Sequence, residues 1–420
     1  MANKMQEQNN ILTDFLEALD IVLVNTKGLK ATESVSLFAA TGRILAEHIV
    51  CRKALPAFTN SAMDGYGVKM SDIGKKVAVI GSVMAGDAIN SISIKMGECV
   101  KIMTGAPVPI SVEAVVAFEN AVSVEESSVT LPEFIKKNAN IRAKGEESNV
   151  GDTLLRAGDT LTPAAIGSLA SQGVFVVKVA AKPKVAVISS GNEIAEPWEA
   201  ASENQIYNSN AAMLMALCIE KGCEPHYVKL LDDSYEATLQ TIRSLLGYDL
   251  ILTTGGISMG EADFIGRAFL ECGLKALFKK VALKPGKPTM FGYLGESAVL
   301  ALPGNPISAV ANFHLFGSAI IARLTGAKAA HIGYVEAKNK SSFDIKDSRA
   351  NLILGSYKNG FFEVYEGARY GSGMVRPITQ SNSFIMTGKG VTRIEEGGMV
   401  KVILIDSPLF NEPCDFMSAK

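Results

Sequence analysis

Apolar residues recur at helical spacing in ILTDFLEALDIVLV (11–24), and Thr13 or Asp14 offers the short polar side chain that caps a helix start. The pattern predicts an opening helix. From Cys51 to about Leu131 the period shortens: VAVIGSV (77–83), CVKIM (99–103) and AVVAFENAVSV (114–124) are β-rich runs separated by Gly and Pro turns. This stretch reads as a compact, mostly β unit. Residues 138–180 hold a hairpin-like run, DTLLRAGDTL, followed by Thr162 and Pro163, an N-cap with a first-turn proline that opens a short helix ending at Gly173. Segments 28–50 and 138–180 flank the β unit and are read as one linking domain that the chain enters, leaves and re-enters.

Between Lys182 and Gly326 strands and helices alternate. KVAVISSG (184–191), HYVKLL (226–231), DLILTTGG (249–256), KKVALKPG (279–286) and AVLALPG (298–304) read as strands, and residues 209–221, 234–246, 262–272 and 307–324 as helices. Strands without a polar face, separated by helices, predict a doubly wound parallel sheet covered on both sides. After Gly326 the helices stop. NLILGSYKNGFFEVYEG (351–367) is a hairpin turned at Asn359-Gly360, and the alternating strands beyond it predict a small barrel or sandwich. The expected fold is α/β and multidomain: residues 1–27 with 181–327 form the doubly wound domain, 28–50 with 138–180 the linker, 51–137 a β-rich inserted domain and 328–420 a C-terminal barrel-like domain.

The 420 residues leave room for about three domains, and 48% hydrophobic residues with a mean hydropathy of +0.20 exclude a disordered chain. A net charge of -2 provides no global field for a nucleic-acid backbone or an anionic membrane, so any anion must be bound locally. The six cysteines form no C-x-x-C pair and read as reduced, buried thiols without zinc spacing. The polar N-terminus resembles no secretory signal, apolar stretches are interrupted short of a span of about 20 residues, and the chain is expected in the cytoplasm.

Three loops carry the candidate chemistry. Thr253 to Asp263 joins a buried strand to a helix, as a tight turn would, and also as a loop that aims backbone N–H groups and a helix end at an anion. Leu283 to Pro288 sets two ammonium groups three residues apart on a proline-stiffened turn. Leu302 to Ser308 feeds a helix, with Asn305 as N-cap and Pro306 at the first helical position. Each loop alone is compatible with ordinary turn chemistry, but all three are expected at one sheet edge, where ligands of such sheets bind. Asp232, Asp233, Asp263 and Glu193 are either solvated acids at helix starts or ligands for Mg²⁺, which takes oxygen donors. LPAFTNSAMDGYGV (55–68) is a dense cluster of turn formers that chemistry alone reads as a structural turn.

Taken together, NSAMDGYGV (60–68), KIMTGAPVP (101–109), IRAKGEE (141–147), SSGNEI (189–194), QIYNSN (205–210), TTGGISMGEADF (253–264), LKPGKP (283–288) and LPGNPISA (302–309) resemble, in order, the motifs of the MoeA family of molybdopterin molybdenumtransferases, related to the E domain of gephyrin. The resemblance implies an elongated homodimer whose active site lies between the doubly wound domain of one chain and the β-rich domain of the other. It implies a transferase that takes adenylylated molybdopterin and molybdate, with Mg²⁺, and yields molybdenum cofactor and AMP. The molybdopterin adenylyltransferase and molybdoenzyme maturation factors are the implied partners, with neither nucleic acid nor membrane among them.

By motif match, Thr59, Ser61, Asp64 and Thr104 would face the metal-insertion site. Gly255, Gly256, Ser258 and Gly260 would cradle phosphate, with Asp263, Asp233 and Glu193 near Mg²⁺. Lys284 and Lys287 would neutralise phosphate or molybdate, Pro303 and Pro306 would shape the oxyanion pocket, and Arg142 would add positive charge. Thr59, Asn192 and Asn208 stand where the family has Asp, and Glu147 where it commonly has Asp. Loss of the three carboxylates weakens Mg²⁺ holding or proton transfer and makes the pocket more receptive to anions. An alternative is therefore a paralogue that binds or carries molybdopterin without efficient metal insertion.

Overall fold

The computed structural model describes residues 12–189, 191, 193–229, 235–255, 264–345 and 349–405. The opening helix, Phe15–Asn25, starts where Asp14 accepts a hydrogen bond from the Leu16 amide at 2.9 Å. Its apolar stripe buries Ala18 and Val22, one helical turn apart, and Phe15 packs edge-on against Phe316 at 5.8 Å.

That helix covers one face of a six-stranded sheet in the order Glu224–Lys229, Lys184–Ser189, Leu250–Thr254, Ser297–Leu302, Met290–Leu294, Lys275–Phe278. Alternation along the strands divides the core in two. Val185, Val187, Leu250, Leu252, Ala298 and Leu300 face the opening helix, Ser209–Glu220 and the helical stretch from Pro306 to Leu324. Ala186, Ile188, Ile251, Val299 and Ala301 face Tyr235–Ser244 and Phe264–Glu271.

The first four strands are mutually parallel, and Met290–Leu294 pairs antiparallel with both of its neighbours, so the parallel sheet expected from the sequence carries one reversed strand. Met290–Leu294 and Ser297–Leu302 are joined by the two-residue turn Gly295-Glu296, too short for the crossover that parallel pairing needs. The strand expected over 279–286 is likewise replaced. Lys275–Phe278 takes the sheet edge, and Leu283–Lys284 leaves the sheet to pair in parallel with Ala350 and Asn351. Pro285 and Pro288 lack the N–H groups that a longer ladder would require.

Residues 306–324 run as helix, π-helical turn (Phe313–Gly317) and helix. This stretch has the length and hydropathy of a membrane span, longer than the interrupted apolar runs expected along the chain, but 78% of it is buried in the protein core.

The β-rich region forms a sheet in the order Ala114–Ala117, Gly65–Val68, Glu98–Ile102, Lys76–Val83, Ser128–Thr130, Ser123–Val124. Thr32–Ser36 pairs with Val176–Ala180, and Ile49–Val50 with Thr153–Leu155, over a core that includes Leu37, Leu45, Leu161 and Leu169. The hairpin expected in DTLLRAGDTL is absent, because its arms pair with residues 44–50 instead of each other. Thr162 caps helix Pro163–Ser171 as expected.

In the C-terminal region Ala350–Lys358, Phe361–Val364, Val335–Asn339, Met399–Leu404 and Ser383–Thr387 close into a five-stranded barrel, with Leu283–Lys284 added at its side. Of the described cysteines, all are free thiols; Cys51, Cys99, Cys218 and Cys223 are buried, and burial pushes the Cys99 and Cys223 thiols up to about 12.

Candidate functional site

Three of the sequence-predicted motifs meet at one end of the β-rich sheet. Gly65 begins the strand between 98–102 and 114–117, and a Cβ there would sit 2.1 Å from the Val116 carbonyl oxygen, so only glycine admits the neighbouring strand. The preceding turn projects Asp64, whose Oδ1 accepts from the Thr104 amide at 2.7 Å and from Thr104 Oγ1 at 2.8 Å. Those two bonds, the backbone one foremost, hold the Asp64 carboxyl below its usual range.

Ser61 is fully buried and donates to the Met63 carbonyl at 2.6 Å, which makes it a brace of the turn and not an exposed reactive group. Asn60 and Ser61 pair with Arg142 and Ile141, so exposed Arg142 stands beside this cluster. Thr59 Oγ1 accepts from the Lys144 amide at 3.2 Å. A hydroxyl thus keeps the backbone contact at a position where the resemblance implies a carboxylate, and the charge is lost.

A second group lies at the carboxyl edge of the α/β sheet. Parallel register places Ser189 opposite Thr254, and Thr254 opposite Leu302, so three strands end in one row. Asn210, in the first turn of helix Ser209–Glu220, donates through Nδ2 to Thr254 Oγ1 at 2.8 Å and to the Gly304 carbonyl at 2.6 Å. Its Oδ1 is buried and has no hydrogen-bond partner among the described residues. The Gly255 amide reaches the Leu302 carbonyl at 3.3 Å, and Gly304 lies against Gly255. Asn210 closes the QIYNSN motif, but the sequence analysis gives it no role; the further signal was an amide side chain inside an otherwise apolar helix.

The LKPGKP turn is closed by a hydrogen bond from the Val281 amide to the Lys287 carbonyl at 3.0 Å and presents Lys284 and Lys287 at the surface. Gly286, at φ +127°, lets the turn approach the helix that follows Leu302, since a Cβ there would lie 2.2 Å from Asn312 Nδ2. Asn312 is fully buried, donates to the Ser308 carbonyl at 2.7 Å and accepts from Thr289 Oγ1 at 3.1 Å. Although Lys284 has left the sheet, its turn remains fastened to the helix that begins at the Pro303–Pro306 turn. Asn305 takes the N-cap position with Pro306 behind it, but its side chain donates to Ser372 Oγ at 2.8 Å instead of capping.

Gly256, Ser258, Gly260, Asp263, Asp232, Asp233 and Asn192 lie outside the described residues. Glu193 is exposed, with its carboxylate against Gly191. Among the described residues no three His, Cys, Asp or Glu side chains gather closely enough to hold a metal ion; of the three carboxylates that the resemblance implies for Mg²⁺, Asp233 and Asp263 lie outside those residues.

Comparison with known proteins places most of the chain in one family. Residues 13–173 match the MoeA N-terminal region (domains I and II), 186–323 a probable molybdopterin binding domain, and 336–405 the MoeA C-terminal region (domain IV). A molybdopterin molybdenumtransferase of Haemophilus influenzae is 35% identical over 88% of this chain and 93% of its own length. The chain belongs to the MoeA family. It is a transferase of that family. A molybdopterin molybdenumtransferase of Staphylococcus epidermidis is 31% identical over 90% of this chain and 92% of its own. The MoeA protein of Pyrococcus horikoshii, a solved structure, superposes with a TM-score of 0.80 at 28% identity, over 94% of this chain and 100% of that one. Within the MoeA fold, the Asp64–Thr104 cluster belongs to the N-terminal region and the Asn210–Thr254–Gly304 edge to the molybdopterin binding domain.

Proposed function

We propose that this transferase carries out the metal-insertion step of molybdenum cofactor biosynthesis, taking adenylylated molybdopterin and molybdate as substrates and releasing AMP. The observation that carries the reading is the row of strand ends at Ser189, Thr254 and Leu302, clasped by Asn210, inside a domain matched as molybdopterin-binding. A crevice at such an edge offers backbone N–H groups to an anion, and Gly255 opens the loop that would hold the phosphate. In this reading Gly256, Ser258 and Gly260 complete the cradle by motif match.

Lys284 and Lys287 neutralise the phosphate or the molybdate, and Pro303 and Pro306 keep the neighbouring turn rigid. Thr104, oriented by Asp64, faces the metal-insertion site, with Arg142 adding charge and Thr59 and Ser61 shaping the turn. We assign residues 1–27 with 181–327, 28–50 with 138–180, 51–137 and 328–420 to four domains, and the active protein to a cytoplasmic homodimer whose site combines two chains. Mg²⁺ belongs to the proposal through Asp263, Asp233 and Glu193; when bound it would screen phosphate charge.

The test is AMP release from adenylylated molybdopterin by the purified protein, with and without molybdate. Release that depends on molybdate is expected. Tight pterin binding without release would replace the proposal with a carrier role, as the neutral Thr59 and Asn208 would then have cost the chemistry.

A further inference from the structure

Glu196 is 3% exposed, yet no cation among the described residues meets its carboxylate: Lys229 instead pairs with exposed Glu199 at 3.0 Å. A buried carboxylate is costly unless hydrogen bonds replace its water. Here the Tyr227 hydroxyl donates to Oε1, and Asn208 Nδ2 lies 3.3 and 3.4 Å from the two oxygens.

Asn208 is itself 3% exposed and has its orientation determined from the other side. Its Oδ1 accepts from the Ala211 amide at 3.1 Å, as the N-cap of helix Ser209–Glu220, and from Ser189 Oγ at 3.4 Å. With Oδ1 so engaged, Nδ2 is the atom left to face Glu196 and Tyr227, which it also reaches at 3.1 Å. Two residues further on, Asn210 clasps Thr254 and Gly304 at the sheet edge.

We infer that Glu196 is a positioning residue for that edge, and that position 208 carries an amide because Glu196 supplies the buried carboxylate. An aspartate at 208 would set two carboxylates about 3 Å apart in a buried site, where each disfavours the charge of the other. The start of the 209–220 helix would then shift, and Asn210 with it. The charged groups facing this cluster are Glu199 and Lys229, which neutralise each other; the phenol of Tyr227 also faces it and is kept protonated by burial and by its hydrogen bond to Glu196. A kinetic test of the coupling rests on the proposed metal-insertion reading, whereas a stability test does not.

The experiment compares Asn208→Asp, Glu196→Gln and the double exchange. Asn208→Asp is expected to lower the thermal midpoint by several degrees. The exchange is expected to recover more than half of that loss, because the amide introduced at position 196 can donate to the carboxylate introduced at 208, which still caps the Ala211 amide. Should Asn208→Asp fail to fold, a folded exchange variant supports the coupling and an unfolded one overturns it. In AMP release, Asn208→Asp is expected to raise KM by about tenfold with kcat within about threefold, and the exchange to restore KM. Trp198, the sole tryptophan, lies edge-on to Tyr227 at 6.5 Å and reports on the cluster by its fluorescence without any substrate. The inference is overturned if Asn208→Asp matches the parent in midpoint and emission, or if the exchange is no better than Asn208→Asp. Absence of AMP release in the parent would count against metal insertion and leave the midpoint and emission to decide the coupling.

Discussion

At the scale of single residues, the site depends on close approaches that tolerate no extra atom. Gly286 combines φ +127° with a Cβ position 2.2 Å from the Asn312 amide nitrogen, and Asn312 is held by Ser308 and Thr289. Gly286→Ala is therefore expected to destabilise the protein by about 2 kcal/mol or more, since backbone strain and a buried clash add. Denaturant unfolding would measure it, and a change within about 0.5 kcal/mol would mean that the turn relaxes away from the helix. The glycine, the lysines and the prolines of this turn were legible in the chain because turn chemistry is local. Asn312 was not, because nothing in its own segment marks the partner that arrives from residues 286–289.

At the scale of elements, the helical stretch 306–324 buries a titratable group. His314 lies in the π-helical turn, 9% exposed, with its ring 6.5 Å from Phe384 of the barrel and its Nε2 lacking a hydrogen-bond partner among the described residues. Burial, with Lys221 adding repulsion, lowers its pKa from 6.5 to about 4. The unfolded chain thus takes up a proton near pH 6.5 that the folded one refuses until about pH 4, and stability falls as pH drops through that window. His314→Leu removes the titration. Between pH 7.5 and 4.5 the stability difference is expected to move in the variant's favour by about 2 to 3 kcal/mol, read by chemical denaturation at each pH. A difference that stays constant would place the ring in a more solvated state. The sequence predicted this helix from its period, but the π turn and the contact with the barrel follow from packing between distant segments.

At the scale of the molecule, the Asp64–Thr104 cluster and the Asn210 clasp sit on separate sheets, and no strand pairing joins those sheets among the described residues. Beside helix Pro163–Ser171, Asp159 and Lys328 pair at 2.5 Å next to a cavity of about 430 Å³ lined by Leu155, Thr160, Thr162 and Ser168. None of these is a candidate site residue. If the proposed site is shared between two chains, Thr104→Ala and Lys284→Ala should complement each other. Each variant alone is expected to lose AMP release, and a refolded equal mixture to regain about a quarter of the parental activity, since half the dimers are mixed and each of those has one intact site. A mixture no more active than its components would put both clusters in one chain.

The sequence by itself determined the local content: the opening helix with its Asp14 cap, the alternating strands and helices of 182–326, the β character of the flanking regions and the ordered motifs. These depend on spacing, capping and turn preference within a few residues. Tertiary structure decided what those segments meet. It reversed Met290–Leu294 against the rest of the sheet, drew Leu283–Lys284 into the barrel, split the expected 152–161 hairpin between partners, and set Glu196 against Asn208. Each of these outcomes is a pairing between segments apart in the chain, and such pairings are chosen by register and by burial in a shared core, quantities that no local pattern contains.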